Sequence, residues 1–364
     1  MKAAMSSFDL RAVAREMNAF AGAYVKKAYM PHYEQIVLRI NPKERDQFDL
    51  VLVRGARIYT SNRDRPMPMT PPPFAMVLRK YLKNARMTGV RQLGFDRVLC
   101  FDFDTKFGKY HLYVEVFRDG NIILTDEEGV IIQPLTHASY AGRTLKKGVV
   151  YIPPPAAMDP HNISEEELSE MFKSSDRDLV STLGGKVNLG GTHANAVCSL
   201  AGFEANIDTQ SIDAGKIHDA LQSLLTDLAE TRVGYLLLKA DEETSASELE
   251  EKAKGYSPNG DRDRFYEKYA TEATPTLLPN HAEAPKATFS SLCQAVDAWK
   301  GAHDAMALAR REAEKLDFAA PGRGHSTDVE RLERRKAQQE KALEGFSAKI
   351  EKQQMLGHTI QNNW

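Results

Sequence analysis

The triple proline Pro153-Pro154-Pro155 divides the chain into two stretches with different hydrophobic periods, and this change constrains the fold most strongly. Consecutive prolines favour extended polyproline geometry, and together with Asp159-Pro160 they make a stiff junction. Ahead of it, short apolar or alternating runs recur: Tyr24 to Tyr29, Gln35 to Ile40, Phe48 to Val53, Val98 to Phe103, Tyr110 to Phe117 and Asn121 to Leu124. Asn41-Pro42, Arg54-Gly55 and Asp119-Gly120 supply turns between them, so the stretch reads as a mostly antiparallel β domain. Two helices belong to it. One opens at Ser6-Ser7, with Leu10, Val13, Met17, Phe20 and Ala21 at three- and four-residue spacing and Asp9 in the first turn, where the helix dipole favours an anion. The other follows Pro71-Pro72-Pro73, buries Phe74, Val77, Leu78 and Leu82, and is expected to run from Phe74 to Arg86.

Beyond the prolines the period is helical. Ser164 with Glu165 to Glu167 opens one helix, Asp178 to Leu183 belongs to a second, and Gly190-Gly191 turns into a third over Thr192 to Ala201, closed by Gly202. Ser211 to Ala229 forms a fourth. Residues 292–364 become helical and charged, with a break at Pro321-Gly322; Val329, Leu332, Leu343, Phe346 and Ile350 then fit a coiled-coil register whose intervening places are the polar Lys336, Gln339 and Gln353. The expected class is α+β, with a β-rich domain over 1–155, a helical domain over 156–230, a mixed segment of unassigned role over 231–291 and the start of a coiled coil from 292.

The formal net charge of −2 excludes a uniformly basic coat, so any nucleic-acid surface must be local. One local excess exists: from Met76 to Arg97 six cations, Arg79, Lys80, Lys83, Arg86, Arg91 and Arg97, stand against the single acid Asp96. Asp96-Arg97 itself opens the apolar run from Val98, a poor place for charge unless the pair meets a polar ligand. Chemistry of other kinds finds little footing. Gly185 to Thr192 has the glycine spacing of a phosphate loop, but Gly191 stands where that loop needs its lysine. The histidines offer no pair at helical metal-ligand spacing, and Cys100, Cys198 and Cys293 are too far apart for a disulfide framework or a cysteine-based zinc site, so neither a metal nor a cofactor is expected. There is no Gly-x-Ser-x-Gly elbow. No window approaches the roughly 18 uninterrupted apolar residues of a membrane span, and Met1 to Leu10 lacks a signal-peptide core, so a soluble cytoplasmic protein is expected.

Three motifs in order, Met5-Ser6-Ser7-Phe8-Asp9-Leu10, Pro73-Phe74-Ala75-Met76-Val77-Leu78-Arg79-Lys80-Tyr81-Leu82 and Asp96-Arg97, resemble the N-terminal domain of the NFACT family. Asn188-Leu189-Gly190-Gly191-Thr192-His193-Ala194 resembles the helix-hairpin-helix element that the family shares with formamidopyrimidine-DNA glycosylases, with Asn195-Ala196 in place of acidic residues. Gln339 to Trp364 is similar to the start of the family's coiled coil. The resemblance covers the first part of a family member, ahead of the returning helix and the C-terminal RNA-binding domain. It implies a glycosylase-like scaffold and a factor of ribosome-associated quality control. Such a factor binds large ribosomal subunits carrying peptidyl-tRNA and recruits charged tRNA for template-independent C-terminal tailing. It further implies that Asp9, Asp96 and Arg97 engage tRNA, with no catalytic residue because the ribosome forms the bond. Arg79, Lys80, Lys83 and Arg86 would then supply contacts to the RNA backbone, and a second copy or an antiparallel helix would complete the coiled coil. Two other readings make different demands. A glycosylase with lyase activity needs an N-terminal proline amine followed by glutamate, where this chain has Met1-Lys2; a fibronectin-binding adhesin needs an export signal.

Overall fold

Helix α1 (Ser7–Asn18) begins where Ser6 takes up extended backbone and a reciprocal capping box closes over it. The Asp9 amide donates to Ser6 Oγ at 3.2 Å, and Asp9 Oδ2 accepts from the Ser6 amide at 2.7 Å. The computed structural model to which this helix belongs describes residues 4–140, 142–155, 158–254 and 261–310. Residues up to Leu308 form one compact unit, and a second begins at Ala309. The coiled-coil register from Val329 to Ile350 lies outside the described residues.

Within the described residues the β-rich part is a nine-stranded antiparallel sheet. Its first meander comprises β1 (Tyr24–His32), β2 (Gln35–Asn41), β3 (Phe48–Val53) and β4 (Arg57–Ser61). Helix α2 (Pro73–Leu82) leads to the second, β5 (Arg86–Gln92), β6 (Val98–Thr105), β7 (Gly108–Glu115), β8 (Ile122–Asp126) and β9 (Ile131–Pro134). The order β4-β3-β2-β1-β5-β6-β7-β8-β9 joins the meanders through β1 and β5, which share the register pair Tyr24↔Arg86. Helix α1 packs on β5 and α2 on β1, so their apolar faces seal the core between the meanders.

Helix α2 is shorter than its basic sequence suggests. Lys83 is already extended and Asn84 takes a positive φ of 60°, a conformation asparagine tolerates better than most residues, so Arg86 opens a strand rather than closing a helix. Strand β5 escapes a period-two reading for a physical reason. A register shift between Met87 and Gly89 places its buried residues, Met87 and Val90, three apart, as on a helix. The side chain of Asn18 fills the bulge, accepting from the Val90 amide at 2.9 Å and donating to its carbonyl at 2.5 Å.

A short hairpin, β10 (Ala138–Tyr140) and β11 (Arg143–Leu145), precedes the helical part. There α3 (Glu165–Lys173), α4 (Leu179–Lys186), α5 (Gly190–Ala201) and α6 (Ala214–Glu230) follow one another; the turn between α4 and α5 is Val187-Asn188-Leu189, and Gly190-Gly191, expected as the turn, already form the first residues of α5. Gly202 closes α5 at φ 76° with its amide on the Cys198 and Ser199 carbonyls. Helix α6 starts three residues later than Ser211, because Asp213 caps it from its side chain.

The segment from 231 folds as a second sheet. Strands β12 (Gly234–Leu238), β13 (Ala270–Thr274) and β14 (Lys286–Phe289) lie in the order β13-β12-β14, accompanied by α7 (Ala246–Ala253) and α8 (Asp261–Tyr269). Helix α9 (Leu292–Val296) then runs through one π-helical turn, Asp297–Gly301, into α10 (Ala302–Ala305). These turns are anchored to α1 and to the β4 edge. Glu16 accepts from the Leu292 and Cys293 amides at 2.7 and 3.0 Å, Arg63 Nε donates to Asp297 at 3.3 Å, and Arg57 and Tyr59 both donate to Asp304 Oδ2 at 2.8 Å. Among the described residues no helix is long and apolar enough to cross a membrane.

Candidate nucleic-acid interface

The turn from β5 to β6 displays Asp96 and Arg97, and everything else in it is clamped. Gly94 adopts φ 57°, which lets the chain reverse and drives Phe95 inward, where it is fully buried. The Phe95 ring meets Phe8 of α1 edge-on at 4.9 Å, and Phe8 in turn stacks on His193 of α5 at 3.7 Å. The Phe95 carbonyl accepts from Asn188 Nδ2 at 2.8 Å, from the α4–α5 turn. Arg11 Nη2 donates to the Gly94 carbonyl at 3.2 Å, and the guanidinium carbon lies 5.4 Å from the centre of the Phe95 ring. Burial lowers the pKa of Arg11, partly offset by Asp159. Gln92 completes the clamp: its Nε2 donates to the Ser7 carbonyl at 2.9 Å and to the Asp96 carbonyl at 2.7 Å.

On this base Asp96 Oδ1 accepts from the Arg97 amide at 2.6 Å, and the Arg97 carbonyl accepts from Val116 at 2.8 Å. The Arg97 backbone is therefore fixed at the sheet while its side chain is exposed, with no hydrogen bond or ion pair to any described residue. The two side chains do not pair with one another. A guanidinium with all its donors available on a pre-ordered turn suits phosphate or a base edge.

Asp9 and the α2 cations lie elsewhere. Asp9 is only 1% exposed; its carboxylate receives the Ser6 amide and hydroxyl, and the residue lines a small half-open pocket with Met5, Ala56, Arg57 and Trp299. It reaches the turn through the first turn of α1, whose Ser7 carbonyl holds Gln92. Arg79 is half-buried, with Nε on the Ala28 carbonyl at 2.7 Å, and Lys80, Lys83 and Arg86 are exposed. Strand β5 runs from Arg86 to Gln92, so at about 3.3 Å per residue its length, about 20 Å, separates this patch from Arg97.

The patch has company that sequence reading did not find. Lys43 and Arg45, from the β2–β3 connection, line one cleft with Gly22, Tyr24 and Arg86. A neighbouring cleft shares Ala19, Phe20 and Arg45 with it and adds Arg15 and Arg232. The Arg45 guanidinium lies 5.3 Å from the Phe20 ring centre. Cations beside half-open aromatic rings are the elements of a groove for unpaired RNA. No spacing rule could have joined Arg45 to Arg232, since only the fold makes them neighbours.

The architecture belongs to a known class. The N-terminal part of the fibronectin/fibrinogen-binding protein from Streptococcus suis shares it at a TM-score of 0.58 and 22% identity, over 82% of this chain and 100% of that one. The fibrinogen binding protein from Staphylococcus aureus does so at 0.59 and 18%, over 80% and 97%. The chain belongs to the NFACT family, whose N-terminal and middle domains match residues 6–364. Relatives include the archaeal Rqc2 homolog aRqcH of Methanocaldococcus jannaschii, 26% identical over 100% of this chain and 51% of that protein. The human ribosome quality control complex subunit NEMF is 28% identical over 100% of this chain and 33% of its own length. This chain thus spans about half of the archaeal relative and a third of the human one.

Proposed function

We propose that this chain is the tRNA-engaging part of a cytoplasmic ribosome-associated quality control factor. It would act on large ribosomal subunits that carry peptidyl-tRNA and recruit charged tRNA for template-independent tailing, leaving bond formation to the ribosome. The observation that carries this reading is the Arg97 guanidinium, presented without an internal partner on a turn clamped by α1 and the α4–α5 turn. The relatives named as ribosome quality control proteins supply the biological setting.

In this reading Arg97 grips a phosphate or base edge and Asp96 accepts from an exocyclic amine of an unpaired loop. Asp9 is a positioning residue, since it caps the helix whose first turn holds Gln92. The α4–α5 pair serves as the helix-hairpin-helix element. Lys80, Lys83 and Arg86, with Lys43 and Arg45, provide salt-sensitive backbone affinity on a second face. The coiled coil that would follow binds a second copy or an antiparallel helix.

The test is filter binding of charged tRNA to the Asp96→Ala/Arg97→Ala double variant, with sedimentation alongside purified large subunits. Charge-assisted hydrogen bonds contribute about 1.5–3 kcal/mol each, so affinity should fall at least tenfold while the variant still folds cooperatively, with at most a small loss of stability from the Asp96 bond to the Arg97 amide. Wild-type tRNA affinity in the double variant would refute the reading.

A further inference from the structure

Histidine spacing offers no metal-binding pair along the chain, but the sheet makes one across strands. Successive strand residues face opposite sides. Leu99, Phe101 and Phe103 of β6 therefore enter the core, and Cys100 and Asp102 share the opposite face of the sheet, where Cys100 is fully buried and Asp102 half-buried. Asp102 lies directly opposite His111 of β7. Its Oδ1 is 2.5 Å from His111 Nδ1 and 3.3 Å from Cys100 Sγ. All three ligand atoms lie within 4.8 Å of one another, the one such convergence of His, Cys and carboxylate side chains among the described residues. Positive charge already sits there: Arg91 of β5 donates from Nε to Asp102 Oδ2 at 3.1 Å and from Nη2 to Cys100 Sγ at 3.2 Å. That side chain is 47% exposed, so it can swing into water without opening the core.

We propose that Cys100, Asp102 and His111 form a site for one zinc ion, which takes the place of the Arg91 guanidinium. Zinc binds sulfur at about 2.3 Å, imidazole nitrogen at about 2.0–2.1 Å and carboxylate oxygen at about 2.0–2.2 Å in tetrahedral array. Those bond lengths put ligand atoms roughly 3.3–3.6 Å apart. Cys100 and Asp102 already stand at 3.3 Å, and the Asp102–His111 contact need open by only about 1 Å. A thiolate, an imidazole and a carboxylate select zinc over magnesium or calcium, which prefer oxygen alone. Binding exchanges the thiol proton, released to solvent, for the sulfur–zinc bond. Cys100 is fully buried whereas Asp102 and His111 are only half-buried, so a fourth position for water would open on the side of those two.

Titrating the full chain with zinc against a chromophoric chelator, and with cobalt as a spectroscopic substitute, tests this directly. One equivalent should bind, with a thiolate-to-cobalt charge-transfer band that Cys100→Ser abolishes and Cys198→Ser and Cys293→Ser retain. His111→Gln should weaken zinc by at least tenfold, the scale on which even outer partners of a metal act. Arg91→Gln removes the competing cation and should tighten zinc binding, an effect that a purely structural ion-pair network would not produce. The proposal fails if no stoichiometric binding occurs, if the band survives Cys100→Ser, or if Arg91→Gln binds zinc no more tightly than wild type.

Discussion

Gln92 is where the geometry of the Arg97 turn can be tested with a single atom. Its amide nitrogen donates to two carbonyls, Ser7 at 2.9 Å and Asp96 at 2.7 Å, from two separate elements. Gln92→Ala deletes both bonds at about 0.5–1.5 kcal/mol each, so the unit should lose about 1–3 kcal/mol of stability. Gln92→Glu keeps the shape but points an acceptor at two acceptors. At neutral pH it loses both bonds, adds repulsion and must destabilise more than alanine does. The glutamate can recover one bond only by binding a proton, so its folded-state pKa lies above the unfolded value of about 4.3. A carboxyl whose pKa is raised on folding costs stability above the unfolded value, and that cost fades as pH falls. The deficit of Gln92→Glu relative to wild type should therefore shrink between pH 7 and pH 5, while that of Gln92→Ala stays flat. Urea denaturation at the two pH values measures both. Both variants also free the Asp96 carbonyl, so RNA binding must order the turn anew. Immobilising a side chain on binding costs about 0.5–1.5 kcal/mol, a loss of up to about tenfold in tRNA affinity. A Gln92→Glu variant no less stable than Gln92→Ala at pH 7, or a pH-independent deficit, would refute the clamp as described.

Replacing Lys80, Lys83 and Arg86 together by glutamine should flatten the slope of log affinity for tRNA against log salt by about 2, at roughly 0.7 per single-strand phosphate contact, with folding unchanged; filter binding over a salt series reads this. Asp304→Ala should cost about 3–5 kcal/mol by leaving Arg57 buried without its acid, measured by chemical denaturation. Burial alone would raise the Asp304 carboxyl, but hydrogen bonds from Arg57, His303 and Tyr59 outweigh it and hold the group well below the usual range. Its contribution to stability is then complete above the unfolded value of about 3.9 and is lost as pH falls below it. Wild type should lose stability more steeply than Asp304→Ala on acidification from pH 4.

How far the site could be read from the chain depended on whether its parts were local. Asp96-Arg97 stood out because two charges opened an apolar strand, and the structure places them on the turn that leads into it. The role of Asp9 was local too, since Ser6 and Asp9 are three residues apart and form a capping box, but its burial was not visible. Inward or outward orientation of an N-terminal carboxylate depends on what packs over the helix, here Met5, Ala56 and Trp299. By sequence the α2 helix ran on to Arg86 and no element was assigned to the residues between Arg86 and Arg97, so the α2 cations stood beside Arg97. In the structure Arg86–Gln92 is β5, whose bulge hides its period-two pattern, and the strand sets the two clusters at its opposite ends.

By itself the sequence determined the elements whose signals are short-range. These are the β-rich stretch before Pro153, the helices after it, the capping box at Ser6, the glycine stop at Gly202 and the exposed arginine ahead of Val98. Caps, turns and apolar periods act over three to seven residues, so one chain segment carries the whole signal. Only the tertiary structure decided which distant groups meet: Asn188 on the Phe95 carbonyl, Glu16 on the start of α9, Asp304 between Arg57 and Tyr59, and His111 opposite Asp102. Each depends on strand register and on the docking of helices far apart in the chain. A register slip of one residue would turn every such side chain to the other face.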